Sequence, residues 1–197
     1  MRETSHSQSR PDLLNDPILP TLKKMTIPMI FGMVTLMMFN IVDTFFISML
    51  GTEPLAAVSF TFPVTFTVIS LAIGLGIGTS AVIAKALGSN KIEEARFDAS
   101  VSLIVALLLV ILLSFIGYLL IDPIFTLLGA GQLVLPLIHE YMNIWFIGSV
   151  FLITPMIGNS VLRASGDTKT PSIVMGGAGL INAILDPILI FGWGPVP

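Results

Sequence analysis

Apolar residues fall into five long runs along this chain, and short polar breaks separate them. The runs cover about 25–50, 55–84, 99–121, 141–162 and 171–193. Each reaches the roughly 20 residues that an α-helix needs to cross a hydrocarbon core. Charge is nearly excluded from them: Asp43 stands alone in the first run, Asp186 alone in the fifth, and the other three carry none. The breaks LGTEP, KALGSNKIEEAR, DPIFTLLGAGQLVLP and RASGDTKTP hold the Gly, Pro, Asn and Asp that end helices and make turns. Strands of a membrane barrel would read instead as runs of about ten residues alternating apolar and polar. The pattern predicts an all-α integral membrane protein with about five transmembrane helices behind a polar tail, residues 1–24.

Composition agrees. Of 197 residues, 54% are hydrophobic and 11% charged, with a mean hydropathy of +0.96, where soluble domains carry about 25% charged residues. A water-soluble fold of this size lacks the interior to hide so much apolar surface. The net charge of −3 says little, but its distribution says more. Arg2, Arg10, Lys23 and Lys24 precede the first run, Lys85, Lys91 and Arg96 flank the second break, and Arg163 and Lys169 flank the fourth. These are all the basic residues, and alternating helices put every one on the same side. The positive-inside rule makes that side, and the N-terminus, cytoplasmic. The tail does not read as a cleavable signal, since the apolar run after it is too long for a signal core. With no cysteine, disulfides and thiolate metal sites are excluded. An odd helix count ending at Gly194-Pro195-Val196-Pro197 is the pattern expected of a fragment or of one lobe of something larger.

Asp43 and Asp186 are the candidate chemistry. An Asp at a helix centre costs roughly 2.5–3.5 kcal/mol on insertion scales, so such residues face a bundle interior or a wet cavity. Each lies seven residues before the end of its run, which is roughly 10 Å inside the outer end at 1.5 Å per residue. Two carboxylates at matched depth on separate helices can meet, and their repulsion then favours a bound proton or Na⁺. Asn182 lies one turn before Asp186 and Asn40 one turn before Asp43, adding amide oxygens suited to a hard cation or a proton relay. The competing reading is that each Asp caps a helix end or bonds a neighbouring helix. Pro187 lends that reading weight at Asp186, as a local break.

Pro28, Pro63 and Pro155 sit within or near the ends of spans, where a missing N–H kinks the helix as a hinge or as a fixed bend. The run Gly74, Gly76, Gly78 lacks the strand and lysine of a nucleotide loop. Its Gly74–Gly78 spacing predicts close helix packing. Tyr141, Trp145 and Trp193 suit an interfacial aromatic belt, with a cavity-lining role as the alternative for Tyr141. His139 and Glu140, adjacent in sequence, read as interfacial residues.

In its order of motifs the chain resembles the N-terminal half of the multidrug and toxic compound extrusion (MATE) family. The matching pieces are Pro28 and Asp43 in the first helix, MLGTEPLAAVSF, GLGIGTSAVIAKALGSNKIEEA, VLRASGDTKTPSIV and NAILDPILIFG, together covering about residues 20–197. Asn182 and Asp186 resemble the DinF-like branch. The resemblance implies most of one six-helix lobe of a twelve-helix transporter, with the remaining helix and the C-terminal half as expected partners. It implies export of amphipathic, often cationic drugs or toxins by alternating access, coupled to H⁺ or Na⁺, in a bacterial-type inner membrane. The coupling site it implies is Asp43, Asn182 and Asp186, which would also hold Na⁺. Asn40, Tyr141 and Asn159 would line the cavity, and Pro28 would be the hinge. Neither an enzyme activity, a cofactor nor a nucleic-acid partner is expected, and membrane lipids surround the chain.

Two rivals remain. A lipid-linked oligosaccharide flippase of the same superfamily would line its cavity with basic residues, whereas no Lys or Arg lies deep in any span here. An intramembrane aspartyl protease would pair two aspartates to activate water. Its usual GxGD motif is missing, since the lone Gly-Asp pair, Gly166-Asp167, lies in a turn. The topology is directly testable because the chain has no native cysteine. A membrane-impermeant thiol reagent should label Thr52→Cys in intact cells and Lys169→Cys only after permeabilisation. The reverse pattern would invert the assignment.

Overall fold

The computed structural model describes residues 17–192. It contains α1 (Ile18–Met49), α2 (Thr52–Gly88), α3 (Ile92–Leu119), α4 (Ile121–Leu127), α5 (Leu135–Ala164) and α6 (Lys169–Ile190). All but α4 are long and apolar enough to cross a membrane, so the five expected spans are present. Residues 1–16 of the polar tail and Trp193 lie outside the described residues.

The helices overrun the apolar runs at several ends, for a physical reason. Hydropathy marks the stretch that sits in hydrocarbon, whereas a helix continues into water wherever local interactions support it. Only Ser89, Asn90 and Lys91 separate α2 from α3. Glu93 and Glu94 occupy the first turn of α3, where carboxylates complement the helix dipole. Lys91 lies 2.7 Å from Glu94, and Arg96 lies 2.9 Å from Glu93. The Glu94 carboxylate holds the Lys91 ammonium above the usual lysine range. Much of KALGSNKIEEAR is therefore helical rather than turn. At the other end of the bundle, DPIFTLLGAGQLVLP contains the seven-residue α4. Pro123 does not prevent this, because proline is tolerated in a helix's first turn. Ile121 and Phe125, one turn apart on α4, are both fully buried. Between α1 and α2 the chain turns through Leu50 and Gly51, and Gly51 has φ +122°, a conformation that a side chain would strain.

Packing divides the helices into two groups. α2, α3 and α5 contact one another extensively, and α1 lies mainly against α6. The three-helix group holds the apolar core. Ala57, Phe125, Ile138, Met142 and Phe146 pack near α4, Val68, Ala72, Ala106, Val110, Ile153 and Ile157 fill the middle, and Ile83, Ala86, Ala95 and Ala164 close the basic end. Small residues permit the close approaches. A side chain on Gly117 would run into the Phe146 ring, and one on Gly76 would lie 2.6 Å from Ser160 Oγ. Gly74 and Gly78 face open space, so the contact expected from their spacing is made by Gly76 between them. Between α3 and α5, Ser114 and Ser149 share a buried hydrogen bond of 2.8 Å.

The α1–α6 pair is built differently. Its first contacts lie seven residues apart on both helices, Gly32 on Ser172 and then Phe39 on Gly179. Seven further along α1, Phe46 meets Phe191, just past the end of α6, edge-to-face at 6.0 Å. Gly32, Phe39 and Phe46 are spaced by seven, as are Ser172, Gly179 and Asp186, the spacing of a helix seam. Both helices start at the basic end and run in parallel. Gly32 is the one buried residue of α1, so the pair is joined through a narrow line of contacts.

The Phe39 ring occupies the space that a side chain at Gly179 would need. Gly179→Leu should therefore destabilise the protein by about 2 kcal/mol, as overpacking does. Adding Phe39→Ala should recover about 1 kcal/mol or more in a double-mutant cycle. Gly74→Ala, facing open space, should stay within about 0.5 kcal/mol of wild type. Thermal unfolding in detergent checks all three.

Candidate functional site

The seam that joins α1 to α6 also carries both membrane aspartates. Asp186 is the third residue of the Ser172–Gly179 series, so the spacing that buries Gly179 against α1 turns Asp186 inward too. It is 7% exposed. Asn182, one turn earlier, donates from Nδ2 to Asp186 Oδ1 at 2.9 Å. Asp186 Oδ2 is buried and has no partner among the described residues. Asp43 is half-buried on the facing helix, and the two carboxylates lie within electrostatic reach of each other. The charge on Asp43 also reaches Tyr141, near the start of α5 and 39% exposed. α1 and α6 thus carry the polar locus at the end opposite the basic residues, with Tyr141 of α5 within electrostatic range of Asp43.

Pro187 does not break α6, which continues to Ile190 with Phe191 N–H bonding the Pro187 carbonyl at 3.2 Å. What proline does is remove one donor, which leaves the Ala183 carbonyl without its helical partner beside Asn182. The locus then offers two carboxylates and one amide. That donor set is all oxygen and carries two formal negative charges in a poorly solvated place. One bound proton or one Na⁺ relieves the repulsion. No group of three His, Cys, Asp or Glu side chains that could hold a metal ion converges among the described residues.

The remaining expected residues lie elsewhere. Asn40 is exposed, and its Nδ2 donates to the Leu36 carbonyl at 2.9 Å, so its amide turns along its own helix. Asn159 lines a shallow groove between α3 and α5 with Leu103 and Pro155. It is 18 residues beyond Tyr141 on the same helix, or about 27 Å at 1.5 Å per residue, too far to share its site. Pro28 lies within α1, about 22 Å below Asp43 by the same rise. His139 Nε2 and Asp122 Oδ1 meet at 2.7 Å between α5 and α4, an interfacial link. Sequence reasoning passed over Asn143, two residues after Tyr141, whose buried Oδ1 has no partner among the described residues. An amide near the start of an apolar span was the available signal. It also passed over Ser172, whose hydroxyl reaches across to α1.

Comparison with known proteins places these features in a family. The MatE family model matches residues 28–188, a stretch that includes Pro28, Asp43, Asn182 and Asp186. A protein of Shewanella oneidensis named FAD transporter is 46% identical over 190 residues, covering 96% of this chain and 42% of the relative. Multidrug export protein MepA of Staphylococcus aureus is 29% identical over 180 residues, covering 90% of this chain and 40% of the relative. Among solved structures, the MATE transporter VcmN of Vibrio cholerae superposes with a TM-score of 0.86 at 37% identity, covering 90% of this chain and 40% of that one. The chain thus spans about two-fifths of the length of the proteins it matches, from their N-terminal half. With the family model spanning most of the sequence and the helices superposing on a MATE transporter, the chain belongs to the MATE family of membrane transporters.

Proposed function

We propose that this chain supplies the cation-coupling lobe of an export antiporter working by alternating access, with Asp43, Asn182 and Asp186 binding the driving H⁺ or Na⁺. The observation that carries this reading is the buried, half-satisfied Asp186 carboxylate, bonded by Asn182 on one oxygen and free on the other, within electrostatic reach of Asp43. A fixed structural pair would be expected to satisfy both oxygens. A group that exchanges a cation must keep one available. Cation and substrate each shift the balance between two shapes of α1 only by their difference in affinity for those shapes. Asp43 and Pro28 lie on the same helix, which gives occupancy of the carboxylates a lever on the bend. Tyr141 borders the site, and Asn40 and Asn159 are proposed to face the transport cavity at other depths. The N-terminus is proposed to be cytoplasmic, in a bacterial-type inner membrane.

The relatives differ in the substrate they are named for. MepA is named for multidrug export, which accords with amphipathic cations. The identity of 46% to a protein named FAD transporter favours a second reading, in which the exported compound is an anionic dinucleotide with a planar ring system. A basic group suited to that reading is Arg163, which donates to Ser160 Oγ at 2.8 Å and has no acidic partner among the described residues. A flippase for lipid-linked oligosaccharides remains the alternative within the superfamily, with its basic lining to come from residues beyond this chain.

One set of assays separates these readings. The whole transporter is expressed in an efflux-deficient host, and ethidium efflux and FAD release are both followed. Asp43→Asn and Asp186→Asn should each lower transport of the true substrate by about tenfold or more, the effect of losing roughly 1.4 kcal/mol of differential cation binding. Wild-type rates in both variants would refute the coupling site. Collapse of the rate on removing either Na⁺ or the pH gradient identifies the driving ion.

A further inference from the structure

Ser172 Oγ lies 2.7 Å from the Pro28 carbonyl of α1 and 2.8 Å from the Thr168 carbonyl of its own helix. A hydroxyl has one proton to donate, so it satisfies one of these acceptors at a time. The bond to Pro28 spans 144 positions in sequence and falls at the proline itself. Around it the helices are in close contact: a side chain placed on Gly32, one turn after Pro28, would lie 3.5 Å from Ser172 Cα and Oγ. Ser172 is buried and Gly32 is the one buried residue of α1. The hydroxyl therefore sits where α1 and α6 are in contact, at the residue whose missing N–H weakens the helix.

We infer that Ser172 is a positioning residue that latches the Pro28 region of α1 to α6, handing its proton between the Pro28 and Thr168 carbonyls as α1 changes shape. Ser172 is buried, and a buried hydroxyl left unbonded carries a substantial penalty. The second acceptor removes that penalty. When α1 pulls away, the proton swings to Thr168, as serine hydroxyls commonly bond the carbonyl one turn back. The hydroxyl donates one bond in either shape, so neither shape strands a polar group. The contacted shape is favoured only by the difference between the bond to Pro28, which joins the helices, and the bond to Thr168 within α6. The seven-residue seam then links the latch to the cation locus, since Ser172 and Asp186 lie on the same face of α6 two repeats apart. This inference rests on Pro28 being the hinge of α1.

The test uses the whole transporter in lipid vesicles with spin labels at Ile41→Cys on α1 and Ile144→Cys on α5, both exposed, and any cysteines beyond this chain replaced. The distance distribution reports the populations of the two α1 shapes. Ser172→Ala should shift their ratio by about two- to threefold away from the α6-contacted shape, since it removes the difference between the bond to Pro28 and the bond to Thr168. The melting temperature should be unchanged, and Ser172→Thr, which keeps the hydroxyl, should restore the ratio. An unchanged ratio in Ser172→Ala overturns the latch, as does a shift accompanied by loss of thermal stability that Ser172→Thr fails to correct. Pro28→Ala separates the two levels of the argument. If it shifts the ratio and Ser172→Ala does not, the hinge stands and the latch falls. If it shifts nothing, both fall.

Discussion

Inside a bilayer a polar group must find its partner in protein, and the rest of this structure depends on how the α1–α6 seam meets that demand. The other three spans share mainly apolar surfaces. Their hydroxyls bond carbonyls one turn back, each other at Ser114 and Ser149, or the facing helix where Ser80 donates to the Ser160 carbonyl. Asn143 Oδ1 is buried there without a partner among the described residues. α1 and α6 instead meet along a narrow line where Gly32 and Gly179 remove side-chain bulk and Ser172, Asn182, Asp186 and Asp43 add polar atoms. The close approach that the glycines permit is what brings these polar atoms into reach. Packing and chemistry thus use the same seven-residue register.

Within this chain α1 makes few buried contacts. It has one buried residue and a proline within its first half. Its apolar side chains are mostly exposed on this chain, from Ile27 through Phe31 and Met37 to Phe45. A helix held by one line of contacts can change shape at little cost in core packing, whereas α2, α3 and α5 share a dense interior that would resist movement. The division into a firm three-helix group and a lightly held pair suits a transporter that keeps its frame while one element responds to a bound cation.

Much of this was legible in the sequence. Long uncharged runs gave the five spans, because exclusion of charge from hydrocarbon is the strongest constraint on a membrane chain. The two aspartates could be paired by depth alone, since a helix rises by a fixed amount per residue. The parts that escaped depend on context. α4 looked like a turn because Asp122-Pro123 is usual turn chemistry, and only the burial of Ile121 and Phe125 beside it reveals a helix. Of the glycines Gly74, Gly76 and Gly78 in α2, spacing favoured the outer two, and the identity of the contacting one depended on which face meets Ser160. Pro187 lent weight to a local break at Asp186, but α6 runs through it. The heptad of Ser172, Gly179 and Asp186 was present in the sequence. Its meaning depends on α1 lying alongside, which no single helix declares.

The central claim is that Asp43 and Asp186 hold the driving cation and release it when substrate binds. Infrared difference spectroscopy on the whole transporter reads this directly, because protonated carboxyls, free carboxylates and cation-bound carboxylates absorb differently. Adding substrate should change the carboxyl bands, and Asp43→Asn and Asp186→Asn should each abolish that change in folded protein. A substrate-induced carboxyl change that persists in both variants, or none in the wild type, would contradict the account.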